Sequence, residues 1–253
     1  MTRLVRIELL KLGTIRLPFG LLGATAGLTA LVTVLKASRA GGGHRHSIPP
    51  LYTAHGLTQV ITTTDFAMIL ALVFGVIIST GEFRHSTATT TYLATPDRTR
   101  VLLSKVVAGA IGGALFGVVA SAMTTGIGLA FVSGKGYAVA LGGATIARYA
   151  LGAVVGSALL GAAGVGIGTL IRGQVGAIVT VFAWGFIVEQ IIGGLYNSAQ
   201  PYLPYTAART LAGASLSGGT APLPFIAETA VVVATVALAA IVAAVTTMRR
   251  DIS

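Results

Sequence analysis

The sequence predicts an all-α integral membrane protein with six transmembrane helices in a single domain, and three observations carry that reading. Hydrophobic residues make up 54% of the 253 and charged residues only 9%, against roughly 25% charge in soluble domains. Seven acids and seventeen bases cannot cover a water-soluble surface of this length. Glycine is abundant, at 34 residues, and in lipid small residues let helix backbones approach closely. Finally, six stretches are long and apolar enough to cross a hydrocarbon core of ~30 Å, which takes about 20 helical residues.

The predicted spans run over 17–35, 61–79, 106–132, 149–171, 175–195 and 226–247. The third is long, and Thr124-Thr125-Gly126 marks a place where it could tilt or break. The fourth and fifth are joined only by Arg172-Gly173-Gln174, which requires a tight hairpin. Ahead of the first span, residues 1–16 mix Leu4, Val5, Ile7, Leu9, Leu10 and Leu12 with Arg3, Arg6, Lys11, Arg16 and Glu8. On a helical wheel Glu8 and Arg16 fall among the leucines. Length and composition still suit a helix lying in the inner interface with its bases on lipid headgroups; a plain extension of the first span is the alternative. The apolar run of that span is 19 residues, longer than the ~7–15 of a secretory signal. The start therefore reads as a retained span, not a cleaved leader.

Lysine and arginine set the expected orientation. With the N-terminus in the cytoplasm, eleven bases fall inside: Arg3, Arg6, Lys11, Arg16, Arg84, Arg98, Arg100, Lys105, Arg172, Arg249 and Arg250. Six fall outside: Lys36, Arg39, Arg45, Lys135, Arg148 and Arg209. Both termini are thus expected on the cytoplasmic side of a cell membrane, with the formal charge of +10 facing anionic lipid. No basic block of five or more occurs, so nucleic acid is not an expected partner. Cysteine is absent, which excludes disulfides, thiol catalysis and cysteine-ligated metals.

No ATP site is visible. The nearest approach to a phosphate loop, Gly128 to Gly134-Lys135, has five residues between its glycines instead of four, and Gly136 where Ser or Thr would hold magnesium. Any ATP-driven work needs another chain to bind ATP and Mg. Gly164-Val165-Gly166-Ile167-Gly168 sits inside a span with no strand before it, so it is not a dinucleotide fingerprint. Together with Gly23/Gly27, Gly109/Gly113/Gly117 and Gly152/Gly156 it gives small-xxx-small spacing, which suits helix packing or a dimer face. His44-Arg45-His46, with His55 nearby, offers too few ligands for a metal and places a cation between them. A solvated outer loop accounts for them, and neither a metal site nor a catalytic residue is expected.

Three acids, Asp65, Glu189 and Glu228, lie in or beside spans, toward their outer ends. A charge near mid-bilayer costs roughly 2.5–3.5 kcal/mol on insertion scales, so each needs a reason. Arg148 and Arg209 are available on the same side. Two readings stay open: ion pairs or hydration at the interface, and an acidic outer vestibule for a cationic substrate.

The most informative segment is 81–105, between spans two and three. Glu82 begins a polar, helix-compatible stretch, Pro96 terminates it, and a basic cluster anchors the start of span three. A short helix beneath the membrane, exposing charged and aromatic side chains such as Phe83, suits docking to a partner. The run Glu82, Arg84, His85, Thr87, Leu93, Pro96, Arg98 and Lys105 resembles, in order, the loop after the second span of ABC-2 type permeases, the membrane subunits of type V ABC exporters. A basic N-terminal helix and a Leu-Pro motif after span five, Tyr202-Leu203-Pro204-Tyr205 with Ala207, Ala208 and Leu211, are similar too. The resemblance extends over essentially the whole chain and departs in the polar, His-containing first outer loop.

That resemblance implies a coupling helix between spans two and three that fits a groove in an ATPase subunit. It also implies short re-entrant helices between spans five and six on the outer side. The partners would be two copies of an ABC ATPase, a second permease copy or a related permease, and membrane lipids; the chain itself would carry no cofactor. Drugs, antimicrobial peptides, lipids and glycans are the cargoes of related permeases. A competing reading is a proton-coupled secondary transporter using Asp65, Glu189 or Glu228. Such a transporter needs acids near the midplane, whereas these lie off-centre, and it leaves 81–105 unexplained. An intramembrane hydrolase finds no Ser/His, paired-Asp or His-Glu-x-x-His arrangement.

Overall fold

A long apolar stretch in lipid can satisfy its backbone by coiling into helix, since no water is there to bond the peptide groups. The computed structural model of the chain does this six times. It describes residues 2–14, 16–42, 48–84, 98–171 and 173–249, among which there is no strand. The helices long and apolar enough to cross a membrane are Arg16–Arg39, Ala54–Gly81, Thr99–Gly134, Gly143–Ile171, Gln174–Leu195 and Phe225–Thr246, here spans one to six. By length and composition the chain is a multi-pass membrane protein.

Span four is the hub. Its glycines meet a different neighbour at each turn, because a missing Cβ lets a backbone come into contact. A Cβ on Gly117 of span three would sit 2.5 Å from the Ala153 carbonyl oxygen of span four, and one on Gly109 would sit 2.8 Å from that of Gly161. Gly113 meets the Ser157 carbonyl in the same way. The numbers fall on one span as they rise on the other, so spans three and four are antiparallel. Gly164 and Gly168 instead meet Leu72 and Val76 of span two, in parallel, while Gly166 lies against Ala239 of span six. The predicted packing glycines are thus used inside the chain, whereas a Cβ on Gly23 or Gly27 would meet nothing within 4 Å.

Burial follows from that hub. In span two 78% of the apolar window is buried within the chain, against 11% in span six. Spans one, five and six therefore turn apolar side chains outward, where a membrane supplies lipid. Phe74 and Phe116, with ring centroids 5.3 Å apart, close the contact between spans two and three.

Three elements differ from expectation. Span two is bent: a short helix, Ala54–Ile61, is capped by the Thr53 hydroxyl accepting from Gly56 N at 3.1 Å. It stops at Thr62-Thr63-Thr64, and Asp65–Arg84 then carries the crossing. The Thr62 and Thr63 hydroxyls bond back to the carbonyls of Thr58 (2.8 Å) and Gln59 (3.3 Å), the local competition that lets threonine interrupt a helix. Span three does not break at Thr124–Gly126; it is one helix of 37 residues, Arg98–Gly134, about 55 Å long at 1.5 Å per residue. Span five carries a π turn at Trp184–Val188. The helix Thr2–Thr14, the span ends at Arg84, Arg98, Ile171 and Gln174, and the C-terminal end of span six share one face of the bundle. We call this the proximal face and its opposite the distal face.

Candidate functional site

Two buried carboxylates organise the two faces. On the distal face, span five ends at Leu195 and the chain folds back through a 3-10 turn, Asn197–Tyr202, into a short helix, Pro204–Leu211. Pro204 fixes the first turn, but Leu203 at the N-cap has no side-chain acceptor to offer the free N–H groups. Glu189 of span five supplies one. Its Oε1 accepts from Tyr205 N (2.9 Å) and from the Trp184 indole N–H (2.7 Å), and its Oε2 from Thr206 N (2.8 Å) and the Thr206 hydroxyl (2.9 Å). The carboxylate lies at the positive end of the helix dipole and is 1% exposed. The π turn sets the indole and the carboxylate, five residues apart, on one side of span five.

The fold-back helix is itself buried, and span four makes room for it. The Ala208 carbonyl would lie 2.8 Å from a Cβ on Gly156, and the Leu211 carbonyl presses on Gly152. Gly213, at φ +87°, then ends the helix in the left-handed region that glycine favours, with Gly213 N donating to Thr210 O at 2.9 Å and Ala214 N to Arg209 O at 3.1 Å. The Tyr205 hydroxyl donates to the Asp65 carbonyl at 3.1 Å. Burial pushes this phenol above its ordinary range, with Asp65 and Glu189 adding to the effect and Arg209 opposing it.

The other predicted distal residues separate into different surroundings. Asp65 and Arg209 come together as an ion pair, partly exposed at the bend of span two, where the helix Asp65–Arg84 begins. Beside them the Lys36 ammonium, near the end of span one, donates to the Thr63 hydroxyl at 3.0 Å. Glu228, 1% exposed near the start of span six, accepts no hydrogen bond at either carboxylate oxygen from the described residues. The adjacent Thr210 hydroxyl spends its one proton on the Ala207 carbonyl at 3.0 Å. Arg148 is exposed and joins no ion pair among the described residues. Each acid has its own surroundings, and they do not share one site.

On the proximal face Glu8 of the N-terminal helix Thr2–Thr14 is buried and takes two lysines, Lys105 at 3.0 Å and Lys11 at 3.1 Å. Lys105, 5% exposed, turns inward. Of the remaining predicted contact residues, His85, Thr87, Leu93 and Pro96 lie outside the described residues, as do the side chains of Glu82, Phe83, Arg84 and Arg98. The His44–His46 run lies outside them too. No three His, Asp or Glu side chains among the described residues gather to hold a metal ion.

Sequence reasoning missed the Glu189 cap, the Glu8–Lys105 pair and the Lys36–Thr63 contact. The first had a readable signal: a helix opening Leu-Pro-Tyr-Thr has no side-chain cap of its own. The second had one as well, since an acid placed among leucines on a wheel is an acid on a buried side. No protein-family model and no curated protein matches the chain.

Proposed function

We propose that this chain is the permease subunit of an ATP-driven exporter of the ABC-2 type. It would line the translocation path with a second permease, while two copies of a separate ATPase bind and hydrolyse ATP. The proximal face would be cytoplasmic and the distal face external, in a cell membrane, with the fold-back helix as the re-entrant element between spans five and six. Cargo would be a drug, an antimicrobial peptide or a lipid-like molecule.

One observation carries the reading. The Glu8–Lys105 pair joins the interfacial helix to the start of span three, where the 81–105 segment ends. Displacement of that segment by a partner would move two elements together instead of one. The long proximal reach of span three is consistent with this, because a lever must extend beyond the hydrocarbon to be pushed. The secondary-transporter reading is weakened by the state of two of its acids. Glu189 is saturated by four donors and Asp65 is paired with Arg209.

The test is reconstitution of the full chain with a candidate ATPase. The chain alone is expected to hydrolyse no ATP. Glu82→Ala and Arg84→Ala should abolish transport and uncouple the ATPase, and crosslinks from 81–105 should reach it while those from 44–55 should not. Normal transport in both variants would sink the assignment.

A further inference from the structure

The distal acids were expected either to form ion pairs or to open a vestibule for cations. Their partners leave a charge of the opposite sign over. Glu189 is buried against the fold-back helix and Asp65 is taken by Arg209. Lys36 is left with a hydroxyl. Its single hydrogen bond, to Thr63 Oγ1 at 3.0 Å, is to a neutral group that is itself 1% exposed. An ammonium carries three donors, so two N–H groups of a half-buried cation have no acceptor among the described residues. The charged groups nearest it are Asp65, already paired, and Arg209, which is another cation. A partly buried charge without a counter-charge is costly, and the position is at the rim of the bundle, where headgroups lie.

We propose that Lys36 and Arg209 form a site for a phosphate-type anion on the distal face, with the Thr63 hydroxyl, its own proton spent on the Gln59 carbonyl, positioning the Lys36 ammonium. Three features match that chemistry. Lys36 and Arg209 reach neighbouring residues of one bend, Thr63 and Asp65, so the two cations converge from span one and the fold-back helix. The cluster carries two positive charges against one negative. A tetrahedral anion offers several acceptor oxygens, as many unused donors require. Phosphate here has two sources, a phospholipid headgroup or a free ion. The outward side of span one, roughly 100° round the helix from Lys36, exposes Leu28, Leu31 and Leu35, a surface along which acyl chains can lie. The site stands whether or not the chain works with an ATPase.

The test is native mass spectrometry of the full chain in detergent, with phosphatidylglycerol, diacylglycerol as the same tails without phosphate, and inorganic phosphate as competitor. The wild type should retain phosphatidylglycerol over diacylglycerol. Lys36→Gln should reduce that retention by about tenfold, the scale of one charge-assisted contact, without changing diacylglycerol binding. Asp65→Asn, which releases Arg209, should act in the opposite direction and tighten it. If millimolar inorganic phosphate displaces the lipid in a Lys36-dependent way, the site takes the free ion; if it does not, the headgroup needs its tails. Either result supports the anion site. Equal retention by wild type and Lys36→Gln would overturn it. Should Lys36→Gln fail to fold, Asp65→Asn decides alone, and unchanged or weaker retention of phosphatidylglycerol overturns the proposal.

Discussion

Glu8 and Glu189 do the same task at opposite faces by different means. Each is a buried carboxylate that holds a short helix against a span. Glu8 does so through other side chains, the ammonium groups of Lys105 and Lys11. Glu189 does so largely through the backbone, the N–H groups of Tyr205 and Thr206. A side-chain partner can be replaced along with its acid, and the interface can be repacked with apolar groups. A backbone donor stays whatever the side chain, short of proline. The proximal tether is therefore exchangeable and the distal one is not.

The largest effect is expected where exchange is impossible. Glu189→Ala leaves two buried backbone donors, an indole and a hydroxyl without acceptors. At about 1–3 kcal/mol for each unsatisfied backbone group, the loss should be roughly 3–5 kcal/mol, read as a fall in thermal or denaturant stability of the purified protein. No second substitution should restore it, and a rescuing partner mutation would break the comparison. Lys105→Met should cost less, about 2–3 kcal/mol, because Lys11 still faces the buried Glu8. Adding Glu8→Gln to it should recover most of the loss, since a buried pair replaced as a unit is often close to neutral. Additive losses in that double variant would show that the proximal tether is no more exchangeable than the distal one. The smallest effect belongs to Lys11→Ala. Its side chain is 45% exposed, and an exposed pair is worth about 0–1 kcal/mol.

The crossings were legible because hydropathy over about 20 residues is a bulk property. The small-residue spacings were legible as packing, but not their partners: Gly109, Gly113 and Gly117 could as well have faced a second copy. Thr62-Thr63-Thr64 shows why the bend in span two escaped. Three threonines suit a span by hydropathy, and only their bonds to the Thr58 and Gln59 carbonyls reveal the turn once the fold exists. The acids were visible and two readings of them stayed open; in the structure Asp65 lies against Arg209. Glu189 was not assignable, because its partners are peptide groups that any residue could have supplied. Lys105 was counted among the partner-facing residues through the resemblance of the 81–105 segment; in the structure it donates to Glu8, 97 positions away.

The π turn in span five has a consequence for how that helix keeps its phase. Its buried residues are Ala177, Val181, Gly185, Glu189 and Gly193, spaced in steps of four. On a regular α-helix each step of four overshoots a full turn by about 40°, so four steps would drift roughly 160°. Such a stripe would begin on one side of the span and finish nearly on the other. A π turn holds about one extra residue and takes back roughly 100° of that drift. The stripe is thereby straightened, and the acid on the distal half stays aligned with the alanine on the proximal half. Deleting any single residue of 185–188 would leave Val181 and Glu189 seven residues apart, about 700° of regular winding, so the span should lose its π turn and still keep the acid on the buried side.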